Sequence, residues 1–393
     1  MKIALVCPAS LPATQFGGIL FLAVDIAREL SKKDHEICIY TTNLDFDNNK
    51  IIFNKNLPEN EEINGFIIKR TNVWFSLKLF LVNPFMYFQM IDDDFDLIHT
   101  FGIRSFQSFI AAIISRKKKI PLIISDQGGL TTHPDITKNN FVIKLIYRLQ
   151  SPIIKFIINQ SSKIIVANEY EKNIFLKFTD ENKIHIIKNG INLDDFKIKN
   201  NDFRKKYLIN EDFILFVGRF HKVKGVDVLI SAVNEIRDFL NSKNMKCVIM
   251  GVDFGYEKEM LQLIKKFNLE SIIVIIKKPP REYVISAYEH AEILVLPSRW
   301  ELSPLTPLEG FAFKKTVVSS NCHGIPFTIQ DKKNCILTEI GDYKKVGESI
   351  IFLITNKEIR IKMGEEGYKL VKNECNSNKM VEKIENIYQK IIN

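Results

Sequence analysis

The sequence predicts an α/β chain made of two doubly wound domains, and three observations carry that prediction. Short apolar runs of strand length alternate with amphipathic segments of helix length from end to end, the pattern of βαβ units on parallel sheets. The alternation pauses once, across the polar, Asn-rich stretch "IKNGINLDDFKIKNNDFRKKYLINED" at 187–212, and then restarts. At 393 residues the chain is also longer than one ordinary core supports. The expected domains are therefore 1–195 and 196–376.

In the first half, "KIALVC" (2–7) reads as the opening strand, because its apolar run stops at Pro8. That run is too short for the apolar region of a secretory leader, so the start is expected to be structural. "GILFLAVDIARELSKK" (18–33) repeats its apolar residues at helical spacing. Strand-like "EICIYTT" (36–42), "GFIIKR" (65–70) and "DLIHTF" (96–101) follow, then helical "SFQSFIAAIISRKKK" (105–119) and the strands "IPLIIS" (120–125) and "KIIVAN" (163–168). "VWFSLKLFLVNPFMYFQM" (73–90) is apolar over about the length of a membrane span. Lys78, Asn83-Pro84 and the following "DDDFD" interrupt it, so a buried or membrane-touching helix is expected.

In the second half, "FILFVG" (213–218), "KCVIMG" (246–251), "SIIVII" (271–276) and "EILVLP" (292–297) read as strands. Helical "VDVLISAVNEIRDFL" (226–240), "YEKEMLQLIKKF" (256–267) and "EYVISAYEHA" (282–291) separate them, and "SNKMVEKIENIYQKIIN" (377–393) closes the chain as an amphipathic helix.

A net charge of +9 and a pI near 9.0 favour anionic partners: phosphorylated ligands, anionic lipid surfaces or nucleic acid. No aromatic–basic module supports nucleic acid. The six cysteines are scattered without CxxC spacing, which fits reduced thiols in a cytoplasmic protein and neither a disulfide framework nor a zinc site.

The chemistry-bearing residues cluster after strands. "RWELSPLTPLEGFA" (299–312) places Glu301 and Glu309 directly behind the apolar run 292–297, and open α/β sheets bind ligands outside the carboxyl ends of their strands. "VGRFHKVKG" (217–225) follows another strand and offers Arg219 and Lys224 beside a helix start near Gly225, a combination suited to a diphosphate. Solvated loop charges are the plainer reading of each motif taken alone. Gly17-Gly18 would let the backbone lie close to a ligand, or would only make a tight strand–helix turn.

Taken together with "GVDFG" (251–255), "IKNGINLDDF" and "AEILVLPSRWELSPLTPLEGFAFKKTVVSSNCHGIP", these motifs resemble the retaining glycosyltransferases of family 4, over essentially the whole chain. The resemblance implies a GT-B fold: two Rossmann-like domains facing a central cleft, with the helix 377–393 crossing back to the first. It implies transfer of a hexose-type sugar from a UDP- or GDP-sugar to a glycan or lipid-linked acceptor, as in cell-envelope polysaccharide synthesis. Glu309 would accept from ribose hydroxyls and Glu301 from hydroxyls of the sugar. Ser303, Leu305 and Thr306 stand where relatives have a Gly-rich run, with Pro304 and Pro307 each removing one amide donor. Gly17, Gly18, Gly218, Arg219, Lys224, Gly251 and Lys278 complete the expected donor set, and Arg219, Lys224, Glu301 and Gln127 the catalytic one.

Gln127, in "PLIISDQGGLTTHP" (121–134), occupies the place where many relatives carry histidine. It cannot titrate, so it cannot be a general base, but it can hydrogen-bond a sugar hydroxyl. Asp126, His99 and His133 are the other acceptor-side residues expected, although a lone histidine is more often a packed one. The Asp-x-Asp runs at 45–47 and 92–96 flank strands of the first half, away from the inferred phosphate loop, so neither a metal nor a cofactor is expected. Residues 136–168 contain no acid, and Lys144, Arg148 and Lys155 share a helical face, with Ser151-Pro152 expected to restart the helix. That face is either a peripheral contact with the inner face of a membrane or a solvated surface. Two other functions fit the motifs: a nucleotide-sugar epimerase of related fold, which needs no acceptor, and a non-catalytic nucleotide- or glycan-binding scaffold.

Overall fold

The computed structural model describes residues 1–47, 50–77, 80–130, 141–197 and 203–392. The chain divides into two compact units, Met1–Asn189 with Ser377–Asn393, and Gly190–Asn376.

The first unit is built on an eight-stranded sheet. Its spatial order is Ile184–Ile186, Lys163–Val166, Leu122–Ser125, Leu97–Phe101, Lys2–Val6, Glu36–Thr42, Phe66–Thr71 and Asn60–Ile63. Neighbours run parallel except the outer hairpin, where Ile63 pairs with Phe66. At the centre, Leu5 stands between Ile39 and His99. Every residue of Leu97–Phe101 is buried, as expected of a parallel strand covered on both faces. The helix Gly18–Ser31 lies over one face together with the final helix Ser377–Ile392. Met380, Val381, Ile384, Ile387 and Tyr388 form the buried stripe of that last helix and enter the same core as Leu20, Val24 and Ala27. Glu385 fixes its register by accepting from Lys33 Nζ at 2.5 Å and meeting His35 Nε2 at 2.9 Å.

The second unit carries a six-stranded, wholly parallel sheet. Its order is Ile273–Lys277, Met245–Gly251, Asp212–Val217, Ile293–Leu296, Thr316–Ser320 and Cys335–Thr338. Counted along the chain this is the 3-2-1-4-5-6 order of the dinucleotide-binding fold. The order reverses between Asp212–Val217 and Ile293–Leu296, and a ligand crevice opens at such a reversal.

Two expectations are corrected here. Residues 73–90 are not one helix: Phe75–Leu77 pairs antiparallel with Phe80–Val82, and only Phe85–Asp92 is helical. Apolar runs of this length suit either structure, and the break at Asn83-Pro84 separates them. The helix Phe141–Gln160 does not restart at Ser151 but runs through Pro152. Pro152 and Arg148 are both exposed, and Pro152 has no amide hydrogen to donate to the Arg148 carbonyl. Among the described residues no helix is long and apolar enough to cross a membrane.

Candidate active site

In the second unit the strand reversal brings two loops together. Arg299 N donates to Val223 O at 2.7 Å, and the Arg299 guanidinium holds both carboxylate oxygens of Asp227 at 2.7 and 2.6 Å. Gly225, at φ 69°, lets the first loop pass under Pro297: a Cβ there would lie 1.9 Å from the Pro297 carbonyl oxygen. This clamp sets Lys224 Nζ 2.5 Å from Glu301 Oε1, which also accepts from Ser298 Oγ at 3.0 Å. Glu301 is 6% exposed, so its charge is held by contacts rather than by water.

Arg219 leaves the neighbouring strand end and stacks over Phe254, 5.0 Å from the ring centroid. Burial lowers its pKa, while the nearby Glu301 charge opposes the shift. A guanidinium remains a cation regardless. Among the described residues Arg219 makes no ion pair. Behind it, Lys278 N donates to Gly251 O at 2.8 Å, and a Cβ on Gly251 would strike the Gly218 carbonyl oxygen at 1.8 Å. Gly251 thus lets its strand end close up against the loop that carries Arg219.

Glu309 lies on the helix Leu305–Ala312, whose first residues include Thr306, with Ser303 just before it. It is 6% exposed and accepts from Arg281 Nη2 and from Tyr288 OH, both at 2.6 Å. Burial disfavours the Arg281 charge, but the Glu309 carboxylate more than offsets this, and the guanidinium pKa is raised. Burial, reinforced by the same carboxylate, pushes the Tyr288 hydroxyl well up, so it stays a donor. Arg281 and Tyr288 were not singled out from the sequence. Their spacing of seven, two helical turns, was the available signal that they share a face.

The first unit places its candidates differently. Gly17, at φ 113°, precedes the helix that Gly18 opens, and a Cβ on it would meet nothing within 4 Å. Gln127 adopts φ 55° beyond the end of Leu122–Ser125. Its side-chain amide exchanges two hydrogen bonds with Asn189, Nε2 to Oδ1 at 3.1 Å and Oε1 from Nδ2 at 2.8 Å. Two acceptor-side candidates lie inside the first unit. His99 is fully buried in mid-strand, with Nδ1 2.6 Å from Tyr388 OH and Nε2 2.8 Å from Ser125 Oγ, and burial lowers its pKa to about 3. It is a neutral core residue. Asp126 is 1% exposed and accepts from the amides of Ile103 at 3.0 Å and Leu130 at 2.8 Å, so it shapes the Gln127 loop. His133 lies outside the described residues.

Glu171 stands behind that loop, fully buried, and accepts from Ala167 N at 2.7 Å. Burial, then the Asp126 charge, pushes its carboxyl up to about 8. The folded chain therefore holds this proton more tightly than the unfolded chain, and ionisation opposes folding. Its stability penalty is absent below the ordinary carboxyl range, grows as pH rises, and is complete above about pH 8. Glu171→Gln, which keeps an acceptor and a donor without the charge, is expected to melt at a temperature that falls less than wild type between pH 5 and 9. Parallel melting curves for the two proteins would refute the assignment.

Among the described residues no group of three or more His, Cys, Asp and Glu side chains converges on a metal-sized site. Asp93, within the Asp-x-Asp run at 92–96, is bound by Tyr40 and Lys69.

Residues 16–195 match the family described as Glycosyltransferase Family 4, and residues 199–370 that described as Glycosyl transferases group 1. The chain is 28% identical to an uncharacterised glycosyltransferase of Methanocaldococcus jannaschii, over 89% of this chain and 88% of the relative. It is also 28% identical to the capsular polysaccharide biosynthesis glycosyltransferase CapM of Staphylococcus aureus, over 71% of this chain and 72% of the relative. Among solved structures, Anabaena HepE in complex with UDP-glucose superposes with a TM-score of 0.77 at 16% identity, over 99% of this chain and all of that one.

Proposed function

The chain belongs to the family 4 glycosyltransferases of GT-B fold, and we propose that it moves a hexose-type sugar, with retention, from a UDP- or GDP-sugar to a glycan or lipid-linked acceptor. The observation that carries this reading is Arg219: a cation at the strand reversal, without an ion pair among the described residues, beside the Lys224–Glu301 pair. An anion such as a diphosphate suits that position. The UDP-glucose complex of HepE and the capsular role named for CapM support the donor and acceptor classes.

In this reading the second unit holds the donor. As the bond from the sugar's anomeric carbon to the diphosphate oxygen breaks, charge grows on the leaving phosphate, and Arg219 and Lys224 stabilise it. Lys224 is already placed by Glu301, so its geometry costs little to set. Glu301 then accepts from sugar hydroxyls. Each oxygen of Glu309 has one partner in the protein and retains capacity to accept a ribose hydroxyl. The resemblance implies a same-face displacement: the acceptor oxygen bonds to the anomeric carbon and its proton passes to the departing phosphate. Gln127 is assigned a hydrogen bond to sugar and no proton transfer.

With two side-chain cations on the diphosphate, turnover is expected to persist in excess EDTA. The assay follows nucleotide release and product stereochemistry by NMR with a glycan acceptor pool. Loss of activity on chelation, restored by manganese or magnesium, would return the Asp-x-Asp segments to the mechanism. Release of free sugar and nucleotide without any acceptor would favour an epimerase.

A further inference from the structure

The apolar stretch left over from the site forms a built surface. Trp74, Phe75, Leu77, Phe85 and Phe88 are 65%, 60%, 54%, 50% and 58% exposed, within fifteen residues of one hairpin and the helix after it. Scattered exposed apolar side chains are ordinary, but a contiguous group of this size marks an interaction site. The rings support one another: Trp74 meets Phe85 edge-on at 5.1 Å, Phe85 lies 6.4 Å from Phe88, and Phe88 lies 5.4 Å from Tyr87. The hairpin is held from behind by Trp74 N donating to Val82 O at 2.8 Å and by Gln107 Nε2 donating to Leu81 O at 2.8 Å. Leu81, Met86 and Met90 are buried beneath it.

Cations border the rings. Lys117 Nζ donates to Tyr87 OH at 2.8 Å, and Arg116, Lys117 and Lys119 are exposed at the end of the helix Phe106–Lys118. That helix contains no acid, and neither does Phe141–Gln160, which packs on it through Phe109 and Phe156 at 6.1 Å and exposes Arg148, Leu149, Ile153 and Lys155. Asp92 to Asp94 close the aromatic helix beside these cations: Asp93 is bound by Tyr40 and Lys69, and the exposed Asp94 lies 3.8 Å from Lys118.

We propose that Trp74, Phe75, Leu77, Phe85 and Phe88, flanked by the cations Arg116, Lys117 and Lys119, seat this protein in the headgroup layer of an anionic bilayer. Tryptophan and phenylalanine suit the boundary between headgroups and acyl chains, and lysine and arginine suit its anionic surface. A second copy is the poorer occupant, since a two-fold contact through this patch would bring like cations together. The site deepens the reading above for a lipid-linked acceptor, and it is tested without turnover, so its failure is separable from failure of the transferase reading.

The full chain is mixed with vesicles of phosphatidylcholine alone or with phosphatidylglycerol, sedimented, and monitored by quenching of tryptophan with brominated lipid. Wild type is expected to bind phosphatidylglycerol vesicles at low salt and to show quenching that Trp74→Phe loses without loss of binding. Phe75→Ser/Phe88→Ser is expected to bind roughly tenfold or more weaker, with an unchanged melting curve because both rings are exposed. Arg116→Gln/Lys117→Gln/Lys119→Gln is expected to lose the preference for anionic lipid. A wild type that stays in the supernatant, a serine variant that binds like wild type, or a dimer that the serine variant dissociates would each overturn the proposal.

Discussion

Arg219→Ala is expected to weaken binding of the preferred nucleoside diphosphate by about 1.5–3 kcal/mol, roughly 10- to 150-fold, with little change in melting temperature. The two halves of that expectation have one cause. Arg219 makes no ion pair among the described residues and is partly desolvated, so the folded protein gains little from its charge until an anion arrives. Lys224→Ala should differ. It strips Glu301 of its cation and leaves a buried carboxylate with Ser298 for support, so affinity and stability should fall together. Calorimetric titration of UDP and GDP beside melting curves separates the two variants. Unchanged affinity in Arg219→Ala would sink the diphosphate assignment.

Removal of Glu309 carries the other large effect. Glu309→Ala leaves Arg281 and Tyr288 without their shared acceptor, at a cost of about 2–4 kcal/mol for a pair that is only partly sealed from water. Glu309→Gln keeps the volume and an oxygen for one of the two donors but loses the charge, and about 1–2 kcal/mol is expected. In both variants the upward shift in melting temperature given by saturating nucleotide should shrink markedly, because the ribose acceptor is gone or weakened. A full nucleotide-induced shift in Glu309→Ala would show that the carboxylate serves the fold alone.

The sequence made the second unit more legible than the first. Its glycines, cations and glutamates follow strands that end in short loops, and a parallel sheet gathers such loops at one edge whatever the side-chain details. Arg281 and Tyr288 escaped because their partner Glu309 sits on another helix, a tertiary contact that spacing alone does not reveal. The burial of His99 is hidden in the sequence for a different reason. In "LIHTF" (97–101) every residue is buried, so no alternation of polar and apolar positions marks the histidine as interior. The run 73–90 misled by length, since apolar residues without periodicity fit a strand pair or a helix equally, and the exposure of Trp74 and Phe75 is decided by what does not pack against them.

The central claim is that the strand reversal of the second unit holds a nucleotide diphosphate. A crystal structure of the full chain with saturating UDP or GDP tests it most directly. The account predicts diphosphate density against Arg219 and Lys224, with the ribose on Glu309. Nucleotide density away from the strand ends at Val217 and Leu296, with Arg219 and Glu309 untouched, would contradict it.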